Sequence, residues 1–372
     1  MKIAIHAADL DHNRIDGTRV YLFNMLKNFG NLDKTDKFFI YHRDFFNHHL
    51  TPPDFNNYSI RKIPFPFLWT QTRFAFEVFI DRPDILWMPV HNIPLLRNKN
   101  TKVIVTIHDL AFKIFPKYFT NKDLFKLNKL SNMAIKNADH IIAVSHSTKN
   151  DILKFYPEIK NDKISVVYHG FDSELFQKDI SQENSEIILK KYCLKAKSYL
   201  LYVGAIQPRK NLGVLIEAFE KIKEGNIDLK LVIAGSPAWK SDNIIKRINN
   251  SRFKKDIIIT GNLEFEKLSA IYRNAKLFIF PSLYEGFGIP ILESMASGVP
   301  VICAKNSSLT EVGGDAVLYF QTENSKDLAD CIDKVMQEKS LEDKLIQKGT
   351  EHVKSFSWGK CAKETLDILI SA

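Results

Sequence analysis

Short apolar segments rich in isoleucine and valine recur along this chain, with patterns typical of helices between them. Such segments are typical of parallel strands that are buried on both faces of a sheet. Because consecutive parallel strands need long crossover connections, usually helices, the alternation predicts a doubly wound α/β architecture. In the first half we predict strands over 2–6, 38–41, 85–88, 103–108, 140–144 and 165–167, with helices that include 21–29 and 124–137.

A polar segment, residues 172–191, interrupts the alternation, and a second run of strands and helices follows it. The length of 372 residues suits two medium-sized domains better than one. We therefore predict two Rossmann-like domains, residues 1–172 and 173–356. The amphipathic tail, 357–372, either completes the second domain or crosses back to the first.

The second run of predicted elements, after the polar segment, comprises strands 199–203, 230–234, 257–260, 277–280, 299–303 and 317–319 and helices 211–223, 241–250, 264–274, 289–297, 325–338 and 341–355.

Composition narrows the class of protein. No apolar run approaches the ~20 residues of a membrane-spanning helix, and the first residues show no signal-peptide pattern. The cysteines form no CxxC pair and no histidine pair has metal-site spacing, so we predict no metal site and a cytoplasmic location. Most of the net charge of +9 lies in the first 180 residues, which hold 25 Lys and Arg against 19 Asp and Glu. This surplus of positive charge suits a partner that carries phosphate or an anionic lipid. The alternative is that it reflects only a generally basic set of proteins in the source organism.

Residues 277–303 carry the most informative pattern, which is an apolar strand, a glycine-containing loop, a helix and the next strand. Gly286 and Gly288 allow the loop backbone to approach a ligand closely. Pro290 suits the first turn of a helix, where an N–H group is not needed. The loop also carries Glu285, and the helix carries Glu293.

This arrangement predicts a ligand with both anionic and hydroxyl groups. The N–H groups of 287–289 at the helix start and the helix dipole favour an anion, whereas Glu285 and Glu293 repel phosphate and accept hydrogen bonds from sugar hydroxyls. A diphosphate with a sugar on each side has both features. The alternative is a routine strand-to-helix turn with an acidic residue near the helix start.

The stretch Glu-Gly-Phe-Gly-Ile-Pro-Ile-Leu-Glu from Glu285 to Glu293 resembles the E-x7-E signature of retaining glycosyltransferases of family 4, group 1. Other segments resemble the family in the same order over most of the chain. The resemblance implies the GT-B fold, in which two Rossmann-like domains face each other across a cleft. It implies acceptor binding by 1–172 and nucleotide-sugar binding by 173–356. The chain looks most like mannosyltransferases of bacterial surface polysaccharides.

A basic pair, Arg209 and Lys210, follows the predicted strand 199–203 in the segment GAIQPRKN. Arginine offers a planar fork to phosphate and lysine a point charge. By itself the pair could be a solvated basic turn. The resemblance implies that it binds the donor diphosphate and stabilises the departing phosphate.

His108 ends a predicted strand of the first domain, and the resemblance implies that it lies beside the transferred sugar. The alternative is a half-buried histidine bonded to Asp109 or to backbone. Gly17 lies in a predicted loop before the helix at 21–29, where family members often have two glycines. Arg19 replaces the second glycine, so we predict that Thr18 and Arg19 contact the acceptor or a phosphate, or that Arg19 is a surface arginine.

The resemblance also implies the rest of the donor site. In relatives, loops after strands of the second domain hold the nucleotide base, here residues 261–263. We expect Glu285 on the transferred sugar and Glu293 on the ribose. The predicted donor-binding residues are Gly17, Gly204, Asn262, Leu263, Gly286, Phe287, Gly288, Ile289, Pro290 and Glu293.

The predicted mechanism is front-face substitution with retention, in which the departing phosphate accepts the proton of the acceptor hydroxyl. No side chain is an evident β-face nucleophile, and no DxD is positioned for a metal. Positioning and electrostatics are then the main contributions to catalysis. We assign catalytic roles to His108, Arg209, Lys210 and Glu285, with no cofactor. The favoured co-substrate is GDP-mannose, and a UDP-sugar is the alternative.

Two segments of the first domain, residues 63–79 and 111–125, are dense in aromatic and basic side chains. Interfacial membrane segments combine these residue types. One hypothesis is therefore a peripheral enzyme that takes a glycan or lipid-linked acceptor at an anionic membrane. The other is ordinary packing of helices and loops.

Other functions remain as alternatives. A sugar-nucleotide epimerase or a phosphorylase keeps the fold and changes the reaction, and a non-catalytic subunit keeps the fold alone. No GxGxxG follows residues 2–6, which disfavours a nicotinamide oxidoreductase. Only the net charge favours nucleic acid, and no recognition module is present in the sequence.

Overall fold

The computed structural model describes residues 1–13, 15–177, 181–225 and 228–372, and the chain divides into two compact units. Unit 1 comprises Met1–Gly170 and Phe356–Ala372, and unit 2 comprises Phe171–Ser355. Part of the predicted polar connector, residues 178–180, lies outside the described residues. Within the described residues no helix is both long and apolar enough to cross a membrane.

Unit 1 alternates strands and helices as the apolar pattern predicts. Its elements before the connector are β1 (Lys2–His6), α1 (Gly17–Leu32), β2 (Lys37–His42), β3 (Tyr58–Lys62), α2 (Arg73–Asp81), β4 (Ile85–Met88), β5 (Lys102–Ile107), α3 (Ala111–Ile114), α4 (Asn121–Asn137), β6 (His140–Ala143), α5 (His146–Phe155) and β7 (Ile164–Val166).

The seven strands of unit 1 form one parallel sheet in the order β3-β2-β1-β4-β5-β6-β7. The chain direction across the sheet reverses between β1 and β4, where Ile3 pairs with Ile85. Loops at the carboxyl ends of these two strands therefore diverge and leave a crevice, the usual ligand position in such sheets.

Unit 2 repeats this architecture. Its elements are α6 (Ser173–Gln177), α7 (Gln182–Lys191), β8 (Tyr199–Val203), α8 (Leu212–Lys223), β9 (Lys230–Ala234), α9 (Asp242–Asn250), β10 (Ile257–Ile259), α10 (Phe265–Arg273), β11 (Leu277–Phe280), α11 (Ile289–Ala296), β12 (Val301–Ala304), α12 (Leu309–Gly313), β13 (Leu318–Phe320), α13 (Ser325–Gln337) and α14 (Lys339–His352).

The six strands of unit 2 form a parallel sheet in the order β10-β9-β8-β11-β12-β13. Here the direction reverses between β8 and β11, where Leu200 pairs with Leu277. The prediction of doubly wound α/β sheets is confirmed. The two most informative sequence motifs, the basic pair and the E-x7-E stretch, follow these two neighbouring strands.

The tail forms α15 (Trp358–Ser371), which belongs to unit 1 and packs on α1. Cys361 Sγ lies 4.0 Å from Met25 Sδ at this contact. The chain crosses close to Gly170, where an added Cβ would lie 2.1 Å from the Trp358 nitrogen. Of the two positions that the sequence left open for the tail, the structure has the one on the first unit.

Several elements differ from the sequence prediction. The edge strand β3 was missed, because its half-buried residues YSIRK lack an uninterrupted apolar run. The helices α2, α3, α5, α6, α7 and α12 were also not among those predicted. Helix α1 begins at Gly17, four residues before the predicted start, so Gly17 is not in a loop. The Asp16 carboxylate caps this helix by accepting a hydrogen bond from the Arg19 N–H at 3.3 Å.

Candidate functional site

Two loops of unit 2 meet where the strand order reverses, the loop after β8 and the loop 281–288 after β11. Asn211 joins them, because its Nδ2 donates to the carbonyls of Pro281 at 3.1 Å and Thr322 at 2.8 Å. Asn211 adopts a left-handed conformation, with φ of 58°, that asparagine tolerates. The Leu283 N–H also donates to the Arg209 carbonyl at 2.9 Å. The two loops are therefore held as one structure.

Three charged side chains converge at this junction. Lys210 Nζ lies 2.5 Å from Glu285 Oε1, and Arg209 Nη1 lies 3.2 Å from Glu285 Oε2. The Arg209 Nη1 also donates to the Tyr284 carbonyl. The side chains of Arg209, Lys210 and Glu285 are only 12%, 13% and 11% exposed. We call these three residues the ion triad, and its formal charge is +1.

The ion triad fixes the protonation of Glu285. Burial alone would raise the pKa of this carboxyl, but the charges of Lys210 and Arg209 outweigh burial and lower the pKa to about 2. Glu285 is therefore a carboxylate at physiological pH. It can accept hydrogen bonds from a ligand, but it cannot donate a proton.

The loop after β12 supports the loop that carries Glu285. The Glu285 N–H donates to Ser307 Oγ at 3.1 Å. The fully buried Ser308 hydroxyl lies within hydrogen-bond distance of the carbonyls of Glu285 and Phe287, at 2.9 and 2.7 Å. Neither serine was predicted from the sequence. The signal that could have found them is their position in the loop after a predicted strand of the same parallel sheet.

Helix α11 begins at this loop as predicted, with Pro290 in its first turn. Gly288 precedes it with a φ of 119°, a conformation that side chains disfavour, and an added Cβ would lie 3.2 Å from Leu309 Cδ2. Phe287, between Gly286 and Gly288, is buried. The first N–H groups of α11 thus come four residues after Glu285 along the chain.

Glu293 is the second acidic residue of the motif and lies one turn further along α11. The Tyr272 hydroxyl, on α10, donates to Glu293 Oε2 at 2.9 Å. Burial raises the pKa of Glu293 to about 7, the Tyr272 hydrogen bond opposes this effect, and the charge of Asp172 adds to it. Glu293 therefore changes its charge near neutral pH, unlike Glu285.

The other predicted residues of unit 2 lie on neighbouring loops. Gly204 directly follows β8, and its N–H donates to the Ala234 carbonyl at 2.9 Å. Asn262 and Leu263 follow β10, the edge strand, so β9 separates their strand from β8. Asn262 is exposed. Arg209, Lys210 and Glu285 are thus in direct contact with one another through Glu285, whereas Asn262 and Leu263 follow the outermost strand of the same sheet.

In unit 1, His108 directly follows β5. Its Nε2–H donates to the Pro89 carbonyl at 2.9 Å, and its ring contacts Tyr21 edge-on with centroids 5.0 Å apart. Burial lowers the pKa of His108 below its ordinary value, so the neutral ring leaves Nδ1 as an acceptor. Of the two bonds in the alternative interpretation, the structure therefore has the one to backbone, at Pro89, whereas the Asp109 carboxylate accepts from the Ala111 N–H at 3.0 Å.

Gly17, Thr18 and Arg19 form the first turn of α1. Arg19 Nε donates to the Asp9 carbonyl at 3.0 Å, and its guanidinium also forms ion pairs with the carboxylates of Asp9 and Asp16. Arg19 is therefore not a solvated surface arginine. Two carboxylates balance its charge, which weakens its attraction for a phosphate.

No group of three or more His, Cys, Asp or Glu side chains is placed to hold a metal ion in the described part of the chain.

Comparison with known proteins assigns both units to one kind of enzyme. The family model described as Glycosyltransferase Family 4 matches residues 17–175, and the model described as Glycosyl transferases group 1 matches residues 184–352. The second match contains the ion triad and Glu293, and the first contains His108.

Curated relatives cover most of the chain. It is 28% identical over 273 residues to the O-antigen chain mannosyltransferase B of Escherichia coli, which covers 73% of this chain and 71% of the relative. It is 30% identical over 247 residues to the O-antigen chain mannosyltransferase RfbU of Salmonella typhimurium, covering 66% of this chain and 63% of that protein.

A solved structure with a similar fold is that of Anabaena Alr3699/HepE in complex with UDP and glucose. The TM-score is 0.77 with 15% sequence identity, and the match covers 100% of each chain. At this identity the likeness concerns the fold, and the predicted GT-B fold is confirmed.

Proposed function

The chain belongs to the glycosyltransferases of family 4, group 1, and from this starting point we propose that it is a retaining mannosyltransferase. In this proposal it transfers mannose from GDP-mannose to a glycan or lipid-linked acceptor in the synthesis of a surface polysaccharide. The nucleotide sugar is a co-substrate, and no metal or other cofactor takes part.

The observation that carries the proposal is the ion triad. Two cations and one carboxylate, nearly enclosed, lie where the strand order of unit 2 reverses, and the carboxylate residue, Glu285, is four residues before the start of α11. A nucleotide diphosphate needs fixed cations, and the sugar beside it needs a carboxylate that accepts from its hydroxyls. The triad supplies both within one cluster.

The proposed mechanism assigns a role to each residue. Arg209, Lys210 and the N–H groups from Phe287 to Ile289 stabilise the negative charge that grows on the departing diphosphate. The departing phosphate takes the proton of the acceptor hydroxyl, and the new bond forms on the face that it leaves. Glu285 is a poor nucleophile for a double displacement, because it is strongly ion-paired and has a pKa of about 2.

Three further contacts belong to the proposal. Glu285 accepts from hydroxyls of the transferred sugar, Glu293 accepts from the ribose hydroxyls, and Gly204, Asn262 and Leu263 lie on loops near the nucleotide. The neutral His108 would accept a sugar hydroxyl at Nδ1, since its Nε2–H is engaged by Pro89.

The identity of the donor is the first test. The relatives named as O-antigen mannosyltransferases favour mannose, whereas HepE was crystallised with UDP and glucose. A ligand that binds only the native state stabilises it by about 2.7 kcal/mol at 100 times its Kd. We therefore expect GDP-mannose to raise the thermal unfolding midpoint more than UDP-, ADP- or dTDP-hexoses do. A larger shift with a UDP-hexose would replace the proposed donor, and no shift with any donor would remove the proposed site.

Product analysis separates transfer from the competing reactions. The enzyme incubated with donor alone should leave the sugar nucleotide unchanged apart from slow hydrolysis. Conversion of the donor to an epimer would identify the chain as an epimerase on the same fold.

The acceptor side of the proposal rests on unit 1. The predicted segments contain both kinds of residue: Ile63, Trp69 and Phe74 are buried in the core, whereas Phe67 is 75% and Leu68 is 72% exposed. We give the name apolar surface to the exposed apolar residues after β3, on α2 and after β4, namely Phe65, Phe67, Leu68, Phe76, Phe79, Ile80, Leu95 and Leu96.

Hydrogen bonds hold the two loops of this surface together. The Gln71 amide accepts from the Leu95 N–H at 3.0 Å and donates to the Ile93 carbonyl at 2.7 Å. Both loops follow carboxyl ends of strands, as His108 does. The segment 111–125 follows β5 of the same sheet and carries three lysines against one aspartate. Apolar side chains beside basic ones suit an anionic membrane, so we propose that lipid-linked acceptors are taken at its cytoplasmic face. Thr18 and Arg19 remain the proposed acceptor contacts.

Vesicle flotation tests the membrane contact. We expect the protein to float with vesicles of anionic lipid at low salt, and the double variant Phe67→Ser/Leu68→Ser to lose most of this binding. The control is Leu32→Ser. Leu32 is an exposed leucine at the end of α1, on the side of the sheet where the strands begin. Absence of wild-type binding, or equal loss in the control, would remove the membrane from the proposal.

A further inference from the structure

Tyr272 lies on α10 and is fully buried, although its hydroxyl is polar. Its ring contacts Phe176 edge-on with centroids 5.5 Å apart and lies 5.4 Å from the ring of Phe278. These neighbours on α6 and β11 fix the direction of the hydroxyl, which donates to Glu293 Oε2 at 2.9 Å. The tyrosine therefore holds a carboxylate on a different helix.

Packing around this pair is organised by the segment that precedes α7. Ser269 Oγ donates to the Leu175 carbonyl at 2.8 Å, and Arg273 Nη2 donates to the Phe176 carbonyl at 3.0 Å. The start of unit 2 is thus fastened to the helix that carries Tyr272. The titratable groups that act on Glu293 are Tyr272 from α10 and Asp172, which precedes α6.

We propose that Tyr272 is a positioning residue for the nucleotide sugar: it holds one oxygen of Glu293 in place and leaves the other oxygen, Oε1, to accept from the ribose hydroxyls. The inference rests on the proposed function, because it requires that Glu293 contact the donor. A carboxylate offers acceptor sites on both oxygens, so the tyrosine does not use up its capacity.

The hydroxyl also sets the pH at which Glu293 becomes competent. Glu293 accepts from both ribose hydroxyls only as a carboxylate, so affinity rises with pH through its pKa of about 7 and is constant above it. Burial and the nearby Glu293 charge raise the pKa of Tyr272 well above its ordinary value, so Tyr272 remains a donor throughout. Removing the donated hydrogen bond destabilises the carboxylate and raises the pKa of Glu293 further.

The test is the pH dependence of GDP binding to the full chain, with UDP as a second probe, since both carry the same ribose diphosphate. Calorimetry from about pH 5 to about pH 9 covers the expected titration of Glu293. In Tyr272→Phe, we expect the midpoint of the Kd profile to move up by about one pH unit, which weakens binding about five-fold at neutral pH. At the alkaline end, its Kd should return to within a few-fold of the wild-type value.

Steady-state kinetics should show the same change in KM while kcat is retained, because the ribose contact is made equally in the ground and transition states.

Two variants serve as controls. Tyr199→Phe removes another buried hydroxyl of unit 2, which donates to the Ile271 carbonyl at 2.6 Å and does not contact Glu293. It should leave the pH profile unchanged. Glu293→Gln still accepts from Tyr272 but cannot titrate, so its Kd should be weaker and its pH profile should keep only the titration of the nucleotide phosphate, whose second pKa is about 6.

The outcomes distinguish a failure of the Tyr272 positioning role from a failure of the proposed donor site. A Tyr272→Phe profile that superimposes on that of the wild type, or an equal shift in Tyr199→Phe, overturns the positioning role. Wild-type protein that binds neither nucleotide, or Glu293→Gln that binds as the wild type does, overturns the proposed donor site itself.

Discussion

Replacing Lys210 with alanine is expected to lower the rate of sugar transfer by about 100-fold or more, the scale of losing one preorganised contact to a developing oxyanion. The ammonium group lies 2.5 Å from Glu285 and is 13% exposed, so solvent screens its charge little. Because this charge is needed most when the diphosphate departs, the loss should fall on kcat as well as on kcat/KM. Transfer rates measured with saturating acceptor check this result.

Lys223→Ala is the matched control for Lys210→Ala. Lys223 is also enclosed, with a side chain 11% exposed, and it pairs with Asp256 at 3.0 Å in the same unit. It lies at the end of α8, away from the carboxyl ends of the strands. Both variants lose an enclosed ion pair, but only Lys210→Ala should lose transfer. Wild-type rates for Lys210→Ala would remove the ion triad from the catalytic site.

Glu285→Gln should also lower transfer by about 100-fold, but it should not weaken the binding of the nucleotide. The glutamine loses the charge that accepts strongly from the sugar hydroxyls. It also removes the carboxylate charge that pairs with Arg209 and Lys210, so their attraction for a free nucleoside diphosphate should stay equal or increase. Transfer rates and the Kd of GDP, measured on the same preparation, check the two parts. A Kd that weakens in parallel with the rate would show that Glu285 only maintains the structure.

Glu342→Gln controls for the loss of an enclosed carboxylate. Glu342 has a side chain 8% exposed and lies between Lys276 and Lys339, at 2.8 and 3.1 Å, so it resembles Glu285 in burial and charge. Removing one partner of such a cluster destabilises the fold because charge is left uncompensated. We expect both variants to unfold more easily, and Glu342→Gln to retain transfer and GDP affinity.

The two predictions rely on features that were visible in the sequence to different degrees. Lys210 and Arg209 were found because they follow a buried strand, and Glu285 because a glycine loop and a helix start surround it. The family resemblance assigned them to one donor site, but nothing in the sequence indicated a direct ion pair, since 75 residues separate Lys210 from Glu285. The contact exists because β8 and β11 are neighbours in the sheet, which is a property of the strand order.

Residues that support the site were harder to predict. Ser307 and Ser308 lie after β12 and bind the backbone of the Glu285 loop, and Tyr272 lies on α10 and binds Glu293. Serine and tyrosine are common residue types, and their role here depends on partners that are distant along the chain. For Arg19 the sequence allowed a surface position, whereas the structure has it bound by Asp9 and Asp16.

Two elements show the limit of local patterns for the fold. Strand β3 has mixed polar and apolar residues because an edge strand needs less burial, so it gave no apolar run. The amphipathic pattern of the tail did not distinguish its two predicted positions, since its apolar face could pack on a helix of either domain. Its place on α1 depends on the complementary surface of that helix and on the close crossing at Gly170.

The sequence by itself determined the doubly wound α/β class, most strands, the start of α11 at the Glu285 loop, and the charged residues that follow β8 and β11. These depend on the periodicity of apolar residues and on the conformational preferences of glycine and proline, which are local. Only the tertiary structure decided that Arg209, Lys210 and Glu285 form one cluster, with a Glu285 pKa of about 2 and a Glu293 pKa of about 7. The physical reason is that burial and the distance to other charges set the energy of a carboxylate, and both depend on chain segments that are far apart in sequence.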